Sequence, residues 1–593
     1  MSDPAKAIEA LKESRPPATD RFTYLTIIEQ FLSPEILPAL NEILQDAQLT
    51  QDIGWDLVDM LVSLPGCEPC LETIARLGNP REVILKVLEV LEGLQESYEA
   101  EEASPAAVQS FITLLGMLAI LHKRIKTKYP SRFLASTLST VYRTYLPNQE
   151  MTASVINLVR SLSAKKRPLL PSRKSSVNVA NPDEEGDATK NAPDPEAETE
   201  DPIEGAIQQK LLLSFVTCIV ESYVNGHSME WSSRLLEFYA PERVVPGRKS
   251  LLDRFKEEED LLSRDTMVGK LEALARDLGF SSASKTLGSG LYDGPIHRDP
   301  LSEAESPSKP DDVPLSTGGS ICIVAYWLFS ATVFGANSPK PDMHIFPDHF
   351  RIMQQFMEDD AHAQIMSTPG TIEAIISIGL WLQQNGLVTT GEDEANFMPY
   401  HHLLTLCGVY HPSIQARNAA ITLAGRVLHD NPDEDDRVKI LEDLLENCMF
   451  ASLKACAVTW LREEIIAARE KQLTSQFSGP DAVDQLQYVI FPDMEFLRDL
   501  DQQGFVEYWA QNSPFLLQAA NFAYLLLNSK DYSSVVPAGM GAAVGQRYVE
   551  PLLQATVGLE SAISKGEEVS EGAEHIALDT SILIDRLKRL DLQ

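Results

Sequence analysis

The chain has 593 residues, 44% of them hydrophobic and 23% charged, an ordinary composition for a globular protein but a length beyond one compact core. Against 50 Lys and Arg stand 86 Asp and Glu, a net charge of −36. A field of that sign repels phosphate backbones and anionic lipid surfaces, so the expected partner is a basic protein segment, with no nucleic acid and no membrane.

From the first residue, Met1-Ser2-Asp3-Pro4-Ala5-Lys6 has no basic stretch followed by an apolar run, so no secretory leader is expected. Seven cysteines, an odd and sparse set, then point to free thiols in a reducing compartment. Helix starts are written as a capping side chain before proline: Ser33-Pro34, Asn79-Pro80 and Ser104-Pro105, with Ser131 a weaker signal. After Asn79-Pro80, the residues Val83, Ile84, Val87, Leu88, Leu91 and Leu94 form a stripe at helical spacing, and Gly78 closes the preceding helix. The uncharged stretches 103–121 and 321–336 are read as buried helices: Ser104, Pro105, Gln109, Ser110 and Thr113 dilute the first, and the second is shorter than the roughly 20 residues a span needs.

Cys67-Glu68-Pro69-Cys70 is the motif with the most chemical content. Two thiols three residues apart at a helix start suit redox chemistry, because the helix N-terminus favours a thiolate. Zinc would need two further ligands, and no second Cys-x-x-Cys exists. The preferred reading is two small residues at a helix turn, one of them buried.

Residues 164–204 begin basic and turn acidic, with Pro182, Pro193, Pro195 and Pro202, and are expected to be a disordered linker. Lys165, Lys166, Arg167, Arg173 and Lys174 form a candidate nuclear-import cluster, and Ser176 and Ser306 are candidate phosphosites. Residues 280–317, rich in Ser, Gly and Pro, are expected to be a long loop. The helical array then falls into residues 1–163, 205–279 and 318–593.

Strand signals are nearly absent, and an internal echo specifies the helical class further. Ser413-Ile414-Gln415-Ala416 aligns with Ser452-Leu453-Lys454-Ala455 at an offset of 39, with Val438, Ile440, Leu441, Leu444 and Leu445 marking a partner helix between them. The expected fold is an all-α, HEAT/armadillo-like α-solenoid of stacked helix pairs. His344, His349, His401 and His402 have no metal-binding spacing. The acidic run Asp430 to Asp436 lacks the glycine of a calcium loop and reads as acids feeding a helix N-terminus. Gly539 to Gly545 lacks the lysine of a phosphate loop and reads as a turn into a close-packed helix. No cofactor is expected.

One block carries a resemblance: Ile53-Gly54-Trp55-Asp56-Leu57-Val58, then Cys67-Glu68-Pro69-Cys70-Leu71-Glu72-Thr73-Ile74-Ala75-Arg76-Leu77-Gly78-Asn79-Pro80-Arg81-Glu82. It resembles the family joining fungal Yap-binding proteins to animal glomulin and a related plant protein. The resemblance implies an α-helical adaptor without catalytic activity. In the fungal branch it implies assistance to peroxide-driven activation of a bZIP transcription factor by a thiol peroxidase, with a paralogue at kinetochores. In the glomulin branch it implies C-terminal repeats that cover the RING subunit of a cullin–RING ubiquitin ligase. Localisation is expected to be cytoplasmic, with nuclear entry through the basic cluster.

Overall fold

A computed structural model describes residues 4–96, 98, 104–163, 191–281, 291, 294–303, 307–338, 340–358, 360–389, 395–472, 474–564 and 573–592. The fold is all-α, built from stacked helix pairs, and among the described residues the only β pairing is an isolated bridge between Phe346 and Thr389. The chain divides into two compact units, the first of residues 1–342 and 368–378, the second of residues 343–367 and 379–593.

The first unit runs through α1 (Pro4–Glu13), α2 (Arg21–Phe31), α3 (Leu37–Ile43), α4 (Ala47–Val62), α5 (Glu68–Leu77), α6 (Pro80–Gln95), α7 (Pro105–Arg124), α8 (Pro130–Thr144) and α9 (Gln149–Ser163). It continues with α10 (Glu204–Gly226), α11 (Trp231–Tyr239), α12 (Leu251–Glu257), α13 (Glu259–Asp277) and α14 (Thr317–Val333). Two of the proline starts are capped as their residues dictate: Asn79 accepts from the Arg81 N–H at 3.2 Å and Ser104 from the Ala107 N–H at 3.2 Å. Ser33-Pro34 opens a short 3₁₀ turn instead, with no side-chain cap. Ser131 is no cap either. Helix α8 begins one residue earlier, and the buried Glu204 carboxylate accepts the Ser131 N–H at 2.8 Å. An acid from α10 thus satisfies a free N-terminal donor of α8. Helix α7 is long and apolar enough to cross a membrane, but its apolar residues Phe111, Leu114, Leu115, Leu118 and Leu121 are buried, and it packs on α5, α6 and α9.

Helix α10 is central. Ser214 donates to the Pro314 carbonyl at 2.7 Å, Thr217 accepts the Ser316 N–H at 3.0 Å, and Asn225 accepts the Thr371 N–H at 2.9 Å. Backbone meets backbone at two points on this face: Gly319 lies against Thr217 and Gly370 against Val224, two helical turns apart. Between α11 and α13, Arg234 and Asp265 form a buried ion pair.

Two stretches expected to be irregular are more ordered than their composition implies. Residues 191–203 run along the ends of α5 to α7, with the Ala192, Glu198 and Asp201 N–H groups donating to the Arg76, Lys126 and Lys128 carbonyls. The acidic linker therefore does not extend to residue 204; contacts with residues far away in sequence supply what local composition lacks. In the long loop, Pro300–Glu303 forms a helical turn and Pro310–Asp312 a 3₁₀ turn, while Thr317 already opens α14.

The second unit contains α15 (Asp348–Phe356) and α16 (Ala361–Ser367); in α17 (Pro369–Gln384), residues from Gly379 onward belong to this unit. Then come α18 (Phe397–Tyr410), α19 (Ile414–Asp430), α20 (Glu434–Asn447), α21 (Ala451–Glu470), α22 (Asp481–Ile490), α23 (Gln502–Asn528), α24 (Met540–Val544), α25 (Glu550–Ser564) and α26 (Ala573–Lys588). The repeat is real, but its period is 37 residues, not 39. Phe397 and Glu434 open equivalent helices, as do Ile414 and Ala451. Burial fixes the phase: Ala416, Ala420, Leu423, Ala424 and Leu428 match Leu453, Ala457, Trp460, Leu461 and Ile465. Two residues of slip turn a helix by about 200°, which would carry the buried stripe to the solvent side. Helices α18, α20 and α22 pack in one layer, and α19, α21 and α23 in the other.

Candidate protein-binding surface

The acidic run ends where its residues direct it. Asp433 caps α20, accepting from the Asp435 and Asp436 N–H groups at 2.9 and 3.3 Å. Glu434, Asp435 and Asp436 fill the first turn, where the helix dipole favours negative charge. Arg437 braces this end by donating to the Asn431 carbonyl at 3.0 Å, with Glu434 and Glu464 at 3.5 and 3.7 Å. Glu442, Asp443 and Glu446 carry the charge on toward the far end of the helix.

Beside this acidic ridge lies a groove of about 750 Å³ between α15, the start of α18 and α20. Its lining is mixed: Phe350, Met357, Met398 and Leu403 are apolar, Glu358 and Asp443 are acidic, and Arg351, Gln354, Gln355 and His402 complete it. At the other end of α18, roughly 12 Å further along by helical rise, the layer ends in an aromatic series. His362 meets Tyr410 edge-on at 4.6 Å, and Tyr410 meets Phe450 at 6.0 Å. Ile414 is 60% exposed and Met449 90% exposed in the same turns. Large apolar side chains left in water are a mark of protein-binding surfaces.

The ridge is held from behind by a charged pair of helices. His429 of α19 lies between Glu464, 2.6 Å from Nδ1, and Glu463, 3.1 Å from Nε2, both on α21. Burial opposes its charge, but the hydrogen bonds and negative charges of the two glutamates outweigh that and lift its pKa from 6.5 to about 9. A raised folded-state pKa stabilises fully below 6.5, and that contribution is lost as pH rises through about 9. Stability should therefore fall by roughly 2–3 kcal/mol between these limits. Urea titrations at pH 6 and pH 9.5 check this, and His429→Gln should flatten the difference.

The other residues singled out in the sequence are placed as follows. Cys67 and Cys70 are both buried and unpaired, with the Cys67 thiol 3.8 Å from the Val62 carbonyl and the Cys70 thiol 3.3 Å from the Leu37 carbonyl. Burial, helped by the Glu68 charge, pushes Cys67 up to about 11, and burial with Cys67 as neighbour pushes Cys70 up to about 12. A shift in that direction disfavours the thiolate form that redox chemistry uses. Lys165, Lys166, Arg167, Arg173, Lys174, Ser176 and Ser306 lie outside the described residues.

His401 is buried edge-on to Trp460 at 5.2 Å, and burial with the neighbouring His402 lowers its pKa to about 3. His402 itself is exposed on the groove, and His349 is buried 3.0 Å from the Tyr400 hydroxyl. Among the described residues, no group of three or more His, Cys, Asp or Glu is arranged to hold a metal ion. Gly539, with φ of 78°, turns the chain into α24, and Gly541 in that helix and Gly545 just after it pack against Leu592. The acids of the ridge were legible in sequence. Met449 and Phe450 were not, since apolar residues after a helix read as core.

No curated protein matches this chain. A family model described as an uncharacterised protein family, YAP/Alf4/glomulin, matches residues 1–583. That span takes in the first unit, the acidic ridge and the groove, and the chain belongs to the YAP/Alf4/glomulin family.

Proposed function

We propose that this protein is a non-catalytic binding scaffold whose C-terminal repeats hold a basic, amphipathic segment of a partner protein. The observation that carries this reading is the adjacency of the α20 acids to the groove and the exposed Met449 edge. The partner inferred is the basic region of a stress-response bZIP factor, with its thiol peroxidase as a second component. This assignment comes from the fungal side of the resemblance, and the chain's charge supports it.

A synthetic bZIP basic-region peptide is the direct probe. Its affinity should fall with added salt, and Glu442→Lys, Asp443→Lys and Glu446→Lys together should weaken it by about tenfold or more. Salt-independent binding, or binding indifferent to the three reversals, would sink the proposal.

A second reading has its own support, because ridge and groove both lie in the C-terminal block that glomulin-like proteins use on the RING subunit of a cullin ligase. An adaptor role at kinetochores is the remaining alternative. Affinity purification with and without brief peroxide separates these: a peroxide-enriched bZIP factor or peroxidase favours the first, and peroxide-indifferent cullin and RING subunits the second. The proposed site of action is the cytoplasm, with nuclear entry through the cluster at Lys165 to Lys174, and no cofactor is invoked.

A further inference from the structure

The first unit carries a basic ledge, unusual in a chain of net charge −36, and the chain covers it with its own acidic segment. Arg76 ends α5, Arg81 begins α6, Arg124 ends α7, and Lys126 and Lys128 lie in the turn to α8. Residues 191–203 lie along this edge as an extended strap. The backbone bonds to Arg76, Lys126 and Lys128 described above are joined by bonds in return: the Lys126 N–H donates to the Asp194 carboxylate at 3.0 Å and the Lys128 N–H to Glu198 at 3.1 Å.

Arg81 spans the strap, 3.5 Å from the Asp194 carboxylate, 2.6 Å from the Glu196 carbonyl and 3.2 Å from the Glu196 carboxylate. Arg124 donates to the Ala192 carbonyl at 3.0 Å. Main-chain bonds along an edge, with side-chain charges read at intervals, are how extended peptides are recognised.

Three observations mark the strap as a stand-in rather than a permanent part of the core. Its apolar content is small (Ala192, Pro193, Pro195, Ala197, Pro202 and Ile203), and Ile203 and the residues from Pro195 to Glu200 are exposed, so hydrogen bonds and ion pairs, the buried Asp194 carboxylate among them, hold it more than apolar burial does. The ledge has more donors than the strap uses: buried Arg124 Nη2 and Arg81 Nε have no hydrogen-bond partner, while Arg76 Nε is already taken by Glu72 at 3.6 Å. A cavity of about 280 Å³ also opens at the seam, with Lys123 and Lys126 on the ledge side and Glu198 and Glu200 on the strap side.

We propose that this ledge is a binding site for an extended acidic peptide of a partner protein, and that residues 191–203 occupy it as an intramolecular competitor. This site is independent of the acidic ridge, and its ligand has the opposite charge. The test uses the full chain and a fluorescein-labelled peptide of residues 191–203 as probe, read by anisotropy. A tethered competitor acts at an effective concentration near ~1 mM, so the wild type should bind the probe weakly. Glu196→Lys with Glu198→Lys, both exposed, loosens the strap and should tighten probe binding by about tenfold or more. Adding Arg81→Glu should abolish the gain. If the double lysine variant does not fold, Glu196→Gln with Glu198→Gln replaces it. Equal affinity of wild type and strap variant overturns the proposal, as does no binding by the strap variant up to about 1 mM. Binding that ignores Arg81→Glu overturns it too.

Discussion

Arg234→Ala should destabilise the first unit by roughly 3–5 kcal/mol, the range for breaking one side of a buried ion pair. Arg234 is 1% exposed and reaches both Asp265 carboxylate oxygens, at 3.0 and 2.6 Å, as well as the Met229 carbonyl at 3.2 Å. Its guanidinium lies between two rings, 3.9 Å from the centroid of Phe255 and 4.4 Å from that of Phe329. Removing it leaves the Asp265 charge buried without a partner and removes a cation–π contact on each side. Arg234→Met keeps most of the volume and should lose nearly as much, because the stranded carboxylate dominates. Arg234→Met with Asp265→Leu should recover to within about 1 kcal/mol of wild type. Urea denaturation followed by far-ultraviolet circular dichroism compares the three. A single variant that loses less than about 1 kcal/mol would mean that Asp265 finds solvent or another partner.

Gly319→Ala should be as damaging for a different reason. An added Cβ would lie 2.6 Å from the Thr217 carbonyl carbon and closer still to its oxygen, and neither helix backbone can yield locally. Helices α10 and α14 would have to separate, breaking the Ser316 N–H bond to Thr217 on the same face. The expected loss is about 3 kcal/mol or more, at the upper end for overpacking. Gly116→Ala in α7 is the control: nothing lies within 4 Å of the position the new methyl would take and the residue is exposed, so helix propensity alone predicts a gain of up to about 1 kcal/mol. Thermal melts should therefore shift in opposite directions. A Gly319→Ala melt matching wild type would refute the backbone contact.

The elements that depend on neighbouring residues were legible. Asn79-Pro80, Ser104-Pro105 and the stripe from Val83 to Leu91 specify helices α6 and α7 through caps and spacing that act within a few residues. What was not legible depends on distant partners. The start of α8 shifts from Ser131 to Pro130, and the Ser131 N–H meets Glu204, 73 residues away. The strap from 191 to 203 has too little apolar content to fold alone and is held by groups that sequence places far upstream. The offset of 39 matched letters, whereas 37 matches faces, and only the packed neighbours define a face. For the Cys67–Cys70 motif, the spacing admitted several chemistries, and burial by surrounding helices set the thiol pKa values. The acidic ridge could be read because charge needs no partner to be visible.

The 37-residue repeat has a mechanical consequence. Helices α18 to α21 are two copies of one unit that touch chiefly their neighbours, so stability there is close to a sum of local terms and interfaces. Such a stack acts as a spring. Tension along it should open one interface at a time, so unfolding of these helices under force is expected to be stepwise.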